Sequence, residues 1–150
     1  MSEITVQTPT GPVTIVEDAG TIVRLRWGQG GMDHTPLLDK AVEQIRAYFE
    51  GTRERFDLPL RVAGSNFQRA VCNAMLDIPY GDTCTYGDIA KKLSVPPQAV
   101  GQACGHNPIP IIIPCHRVMG AKGLTGFSGA GGVETKVQLL RLEGAGGFLI

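Results

Sequence analysis

The chain lacks most of the features that would place it at a membrane, outside the cell or on a polyelectrolyte. No apolar run approaches the ~18 residues that a spanning helix needs, and Met1 to Gly11 has no basic segment followed by an apolar stretch, so no secretory leader is expected. No cysteine occurs before Cys72, and the four present (Cys72, Cys84, Cys104, Cys115) form no paired framework. Reduced thiols in a cytoplasmic protein are therefore expected. Neither charge dominates, with 14 Lys and Arg against 14 Asp and Glu. Taken over the whole chain, that balance argues against a nucleic-acid partner held strongly by charge. The two halves do differ: residues 1–65 carry a net charge of −2 and residues 66–150 a net of +2, so a polyanion would meet the second half. At 150 residues the chain can bury a real core, as one domain or two small lobes.

The patterning predicts an α+β protein. Ile4 and Val6, then Val13, Ile15 and Val16, then Ile22, Val23, Leu25 and Trp27 alternate as three strands. Pro9-Thr10-Gly11-Pro12 and Asp18-Ala19-Gly20 join them into a small antiparallel sheet. Thr35 is a candidate N-cap with Pro36 at the first helical position, and Leu38, Ala41, Val42, Ile45 and Phe49 form one apolar stripe that Gly51 ends. Arg53 to Ala63 is a charged connector, and the lobe boundary is placed there, giving lobes of 1–62 and 63–150.

The second lobe looks mostly helical. Phe67, Val71, Met75 and Ile78 recur at helical spacing from Ser65 until Pro79-Tyr80-Gly81-Asp82. Thr85 with Asp88 three residues on is a capping-box signature. The helix it opens turns at Ser94 to Pro96 into a second, from Pro97 to about Gly105. The pair resembles a helix-turn-helix, with Gln98 and Gln102 on one face and Ala99, Val100 and Ala103 small enough to pack or to approach a duplex closely. An ordinary helical hairpin with a solvated Gln face fits the same pattern.

Chemistry concentrates in Ile111-Ile112-Ile113-Pro114-Cys115-His116-Arg117-Val118. The isoleucines read as a buried strand or core segment that Pro114 ends, delivering a thiol to a pocket edge beside an imidazole. A thiol is a strong nucleophile only as thiolate, and histidine is its usual activator. Neighbours in an extended chain point to opposite faces, so a bridging water is expected between Cys115 and His116. Cys72 and Cys104 read as structural thiols and Cys84 as a loop residue. Cys104, His106, Cys115 and His116 offer four donors for zinc, but the rigid run between the pairs and the missing C-x2-C knuckle argue against a metal. None is expected.

Pro114-Cys115-His116-Arg117-Val118 resembles the active-site signature of the O6-alkylguanine-DNA alkyltransferases, the methylated-DNA-protein-cysteine methyltransferases. Asn107-Pro108, Phe67-Gln68, Ile78-Pro79-x-Gly81, Tyr86, Gly126-Phe127-Ser128-Gly129 and Lys136 with Leu139-Leu140 and Glu143 extend the likeness from about Ser65 to Gly144. It implies a minor-groove helix-turn-helix acting on double-stranded DNA that contains alkylated guanine, with the base flipped into a pocket. Cys115 would take the alkyl group once and irreversibly. His116, backed by Glu143 and reached through water, would accept the thiol proton; Asn107 would brace the network, and Tyr86 would protonate the departing base. Val118, Phe127, Ser128 and Gly129 would line the pocket, while Thr85, Gln98, Ala99, Gly101 and Gln102 would meet DNA. No cofactor and no membrane partner are implied, and a monomer, nucleoid-associated if bacterial, is expected. This chain departs from the family where Gln98 stands in place of a usual arginine and Cys72 in place of a common tryptophan. An alkyltransferase-like protein that grips damage without transferring anything, or a helix-turn-helix regulator with a structural Cys115, is the competing reading.

Overall fold

Ala19 at φ 50° and Gly20 at φ 80° take the two left-handed positions that a two-residue hairpin needs, and so join the second and third strands. The strands are β1 (Ser2–Thr8), β2 (Gly11–Asp18) and β3 (Thr21–Trp27), in the order β1-β2-β3 and antiparallel throughout. Ile4 lies opposite Ile15, and Ile15 opposite Leu25, so one face is apolar across all three. These coordinates come from a computed structural model, and the structure describes residues 1–120 and 132–145.

Helix α1 (Pro36–Phe49) closes that face. The Thr35 hydroxyl accepts from the Leu38 N–H as expected, and Gly51 at φ 79° follows the last turn. Its buried residues are Leu38, Ala41, Val42, Gln44, Ile45 and Tyr48, whereas Phe49 is only half-buried. The apolar stripe therefore runs through Tyr48, one residue earlier than expected. Gln44 ties down the connector, donating to the Asp57 carbonyl at 3.1 Å and accepting from its N–H at 2.8 Å.

The second half supplies α2 (Asn66–Leu76), β4 (Cys84–Thr85), α3 (Tyr86–Leu93), α4 (Pro97–Gly105), β5 (Val118–Met119) and α5 (Val133–Leu142), completing an α+β fold. The capping box at Thr85 and Asp88 is fully formed, and Ser94 ends α3 in a left-handed conformation before the turn into α4. A parallel pairing of β4 with β5, Cys84 opposite Val118 and Thr85 opposite Met119, was not expected. Cys84 therefore lies in a strand rather than a loop. Two residues per strand carry too little period for a pattern to reveal.

The two halves share one continuous core, which holds Ile15 and Tyr48 together with Met75, Ile113 and Val118. The Leu25 N–H of β3 donates to the Pro108 carbonyl at 2.9 Å, so the sheet touches the segment that leads into the Cys-His pair.

Candidate active site

Three prolines shape the approach to Cys115. Pro108, Pro110 and Pro114 have no N–H to give a ladder, so residues 108–114 cannot run as a strand even though Ile109, Ile111, Ile112 and Ile113 are all buried. They form a tight turn instead, in which the Ile113 N–H reaches the Ile109 carbonyl at 2.8 Å. Of the two readings of the isoleucine run, the buried core segment holds and the strand does not. Ile111 sits at φ 72°, a left-handed conformation that a β-branched residue adopts only under strain, held here by its own burial. Asn107 braces the turn: its Nδ2 donates to the Ile113 carbonyl at 2.8 Å and its Oδ1 accepts from the Ile109 N–H at 3.0 Å.

Cys115–Arg117 is one turn of 3-10 helix, not extended chain. At three residues per turn, successive side chains diverge by about a third of a circle. Cys115 and His116 thus point apart, as expected, but because of a helical turn rather than a pleat. The β4–β5 pairing then lays Cys84 and Thr85 alongside Val118 and Met119, which brings the start of α3, at Tyr86, to the Cys-His segment.

Behind His116 lies a buried carboxylate with four hydrogen bonds. Glu143, at the C-terminal cap of α5, accepts from His116 Nε2 at 2.7 Å on Oε2 and from Arg117 Nε at 2.8 Å on Oε1. Oε2 also accepts from Arg117 Nη2 at 3.0 Å and from the Tyr48 hydroxyl at 2.5 Å. Arg117 Nη1 donates to the Ile78 carbonyl at 2.7 Å, and its guanidinium lies over the Tyr80 ring, 5.7 Å from the centroid. Burial pushes the Glu143 carboxyl up, but the bonds from His116 and Arg117 outweigh it and hold it at about 2. Glu143 is therefore an ion matched by Arg117.

That charge assigns the histidine. A carboxylate only accepts, so His116 Nε2 carries the hydrogen. Burial pushes the imidazole pKa down, Glu143 pulls it partly back, and the Arg117 and Lys136 charges add to the fall, so His116 rests neutral. Its Nδ1 is then a bare lone pair, buried and without a hydrogen-bond partner among the described residues. This is a base with its second nitrogen anchored.

Cys115 rests as a thiol. Burial raises it to about 11, while the Asn107 side chain and the Lys136 charge pull the other way. Lys136 is itself fully buried on α5, its Nζ donating to the Val118 carbonyl at 2.6 Å, and burial lowers its pKa. Cys84 and Cys104 are also raised by burial, to about 11 and 12, with Cys104 directed at the Met75 sulfur. No thiol here is acidic in advance. What sets Cys115 apart is the base on the next residue, and a thiol at about 11 needs one to react at neutral pH.

The remaining expected residues fall in three places. Gln98 and Gln102 are exposed on α4, with Ala99 and Gly101 half-buried between them. Gly101 faces the Tyr86 ring, where a Cβ would stand 3.9 Å from Cδ2, and Thr85 caps α3. Phe127, Ser128 and Gly129 lie outside the described residues. Among the described residues no group of three or more metal-ligating side chains gathers, and His106 turns to the Gln102 carbonyl instead. Sequence reasoning gave no role to Arg117, Lys136 or Tyr48. Lys136 had a signal, a cation within one turn of Leu139 and Leu140 on an apolar stripe.

The family described as 6-O-methylguanine DNA methyltransferase, DNA binding domain, matches residues 66–145, and its ribonuclease-like domain matches residues 1–62. Methylated-DNA–protein-cysteine methyltransferase of Mycobacterium tuberculosis is 43% identical over 150 residues, covering 93% of this chain and 90% of the relative. The Methanosarcina acetivorans protein of the same name is 40% identical, covering 93% and 96%. The crystal structure of Mycobacterium tuberculosis OGT in complex with DNA superposes with a TM-score of 0.85 at 41% identity, covering 98% of this chain and 96% of that one.

Proposed function

The chain belongs to the 6-O-methylguanine DNA methyltransferase family, and from that membership we propose that it repairs double-stranded DNA by moving the alkyl group of an O6-alkylguanine irreversibly onto Cys115. The observation that supports this reading is the buried Glu143–His116 pair, with Nδ1 left unpartnered among the described residues and able to accept a proton, one residue along the chain from a thiol too weak to ionise alone.

The steps balance as follows. His116 Nδ1, through a bridging water, takes the Cys115 proton, and Glu143 steadies the imidazolium that forms. The sulfur attacks the alkyl carbon, the carbon–O6 bond breaks, and its electron pair leaves with guanine. The Tyr86 hydroxyl donates a proton to the departing base. The product is a thioether at Cys115 and unmodified guanine; a thiolate is a poor leaving group from an unactivated alkyl carbon, so the carbon–sulfur bond persists and each molecule acts once. O4-alkylthymine is a candidate second substrate by the same chemistry. Reaching O6 inside a duplex requires the nucleotide to leave the stack. The exposed face of α4 with Gln98 and Gln102 is the surface proposed to enter the minor groove and hold the base out, with Ala99, Gly101 and Thr85 against the backbone. Phe127, Ser128, Gly129 and the backbone at Val118 are proposed to line the pocket.

The test is an intact mass after incubation with a duplex carrying O6-methylguanine. One methyl added to the wild type and none to Cys115→Ala is the expected result. An unmodified wild type despite saturating, bound duplex would favour a damage-binding protein without transfer.

Gln98 gives a second prediction. An arginine there would add a charge facing the polyanion and a longer side chain to fill the gap left by the flipped base. Gln98→Arg is expected to bind an O6-methylguanine duplex more tightly, by fluorescence anisotropy at fixed salt. Equal affinity would remove Gln98 from the account.

A further inference from the structure

Tyr48 comes from the first lobe, 95 residues from Glu143 in sequence, yet its hydroxyl reaches Glu143 Oε2 at 2.5 Å. The same oxygen accepts from His116 Nε2 at 2.7 Å and from Arg117 Nη2 at 3.0 Å, while Oε1 accepts from Arg117 Nε. Three donors therefore share one oxygen, which has two lone pairs. We propose that Tyr48 is a positioning residue of the proton relay: by donating to Oε2 it competes with His116 for that oxygen and sets how strongly Glu143 holds the imidazole. The role rests on the alkyl-transfer reading, and it makes the sheet-and-helix lobe part of the reacting centre rather than a support.

The placement is fixed on all sides. Tyr48 is fully buried, and its ring packs edge-on against Phe49 at 5.2 Å and Tyr80 at 6.3 Å, with Phe56 at 5.4 Å. The Tyr80 hydroxyl in turn donates to the Leu142 carbonyl, one residue before Glu143. Burial first, and then the Glu143 charge, push the Tyr48 hydroxyl upward, so it remains a donor at every working pH.

The direction of the effect follows from charge. A hydrogen bond to a carboxylate spreads its negative charge over another partner and leaves less for the others. Tyr48 thereby weakens the pull of Glu143 on His116 and keeps the imidazole easier to deprotonate. Among the described residues, the charged and titratable groups acting on His116 are Glu143 at the end of α5, Lys136 on α5 and Arg117 from its own turn, and, through Glu143, Tyr48 from α1 and Tyr80 from the loop after α2. Glu54 of the connector acts on Tyr80. Tyr48→Phe removes one hydroxyl and leaves the rest, including the ring packing, in place.

The experiment is a pH titration of the full-length wild type and of Tyr48→Phe, uniformly labelled with 15N-histidine and followed by NMR. The chain has three histidines, so His116 is readily distinguished from His34 and His106. The His116 pKa is expected to rise by about half a unit in Tyr48→Phe, the scale of one modest hydrogen bond. The acid limb of the O6-benzylguanine reaction rate should move up with it. An unmoved His116 titration alongside a lowered melting temperature would reduce Tyr48 to a packing residue and overturn the proposal, as would a downward shift. The histidine titration does not depend on alkylation. If the wild type gains no alkyl group, the alkyl-transfer reading fails by itself, and the NMR arm still decides whether Tyr48 tunes His116.

Discussion

Arg117→Ala is expected to cost the protein about 3–5 kcal/mol of stability, the range for removing one partner of a buried ion pair. The loss is large because Glu143 is 5% exposed and depends on Arg117 for two of its four hydrogen bonds. Without the guanidinium, the carboxylate is left charged in the core or must take up a proton, and the Ile78 carbonyl loses its donor too. For a chain of this length each kcal/mol moves the melting temperature by about 2–4 °C, so a fall of roughly 10 °C is expected by calorimetry. Arg117→Met combined with Glu143→Leu should recover part of the loss, because the charge then goes with its partner and similar volume remains. A melting temperature within a degree or two of wild type for Arg117→Ala would mean that Glu143 is not an ion in the folded state.

His116→Ala is expected to slow alkyl transfer from O6-benzylguanine by about 10²–10⁴-fold at neutral pH, the usual contribution of a positioned base. The pH profile distinguishes a lost base from a damaged fold. Cys115 is held at about 11, above its ordinary 9.0, by burial, so without His116 the thiolate must come from direct ionisation. Below that value its population rises tenfold per pH unit, and the variant's rate should climb steadily towards pH 10. The wild type should level off once His116 is neutral, below the ordinary histidine value, since burial lowers its pKa. Parallel profiles for the two proteins would assign the proton elsewhere. Circular dichroism of the variant guards against a folding defect, because His116 is fully buried.

The site was legible in the sequence where chemistry sits in adjacent letters. Cys115 and His116 announced themselves, and the capping box at Thr85 and the turn at Ser94 placed the helix pair, because caps and turns are local rules. Glu143 and Asn107 entered only through resemblance; no spacing argument brings residues 107, 116 and 143 together. The isoleucine run left strand and core segment both open, because burial and conformation are separate matters. Its residues are in the core as expected, but the prolines at 108, 110 and 114 govern the backbone. Tyr48 was passed over for Phe49 on α1, since both continue an apolar stripe and only the tertiary fold decides which one turns inward. Arg117 was read as part of a signature and not as a buried counter-ion. Nothing in a single sequence distinguishes a solvated arginine from one that neutralises a carboxylate 26 residues away.

The proposed transfer to Cys115 makes the protein one that is consumed by its own reaction. The most direct measurement is a count of methyl groups transferred when limiting protein meets an excess of O6-methylguanine duplex. The account predicts a plateau at one equivalent per chain, with the methyl recovered on the Cys115 peptide. Turnover beyond one equivalent, or a full equivalent recovered on another residue, would contradict it.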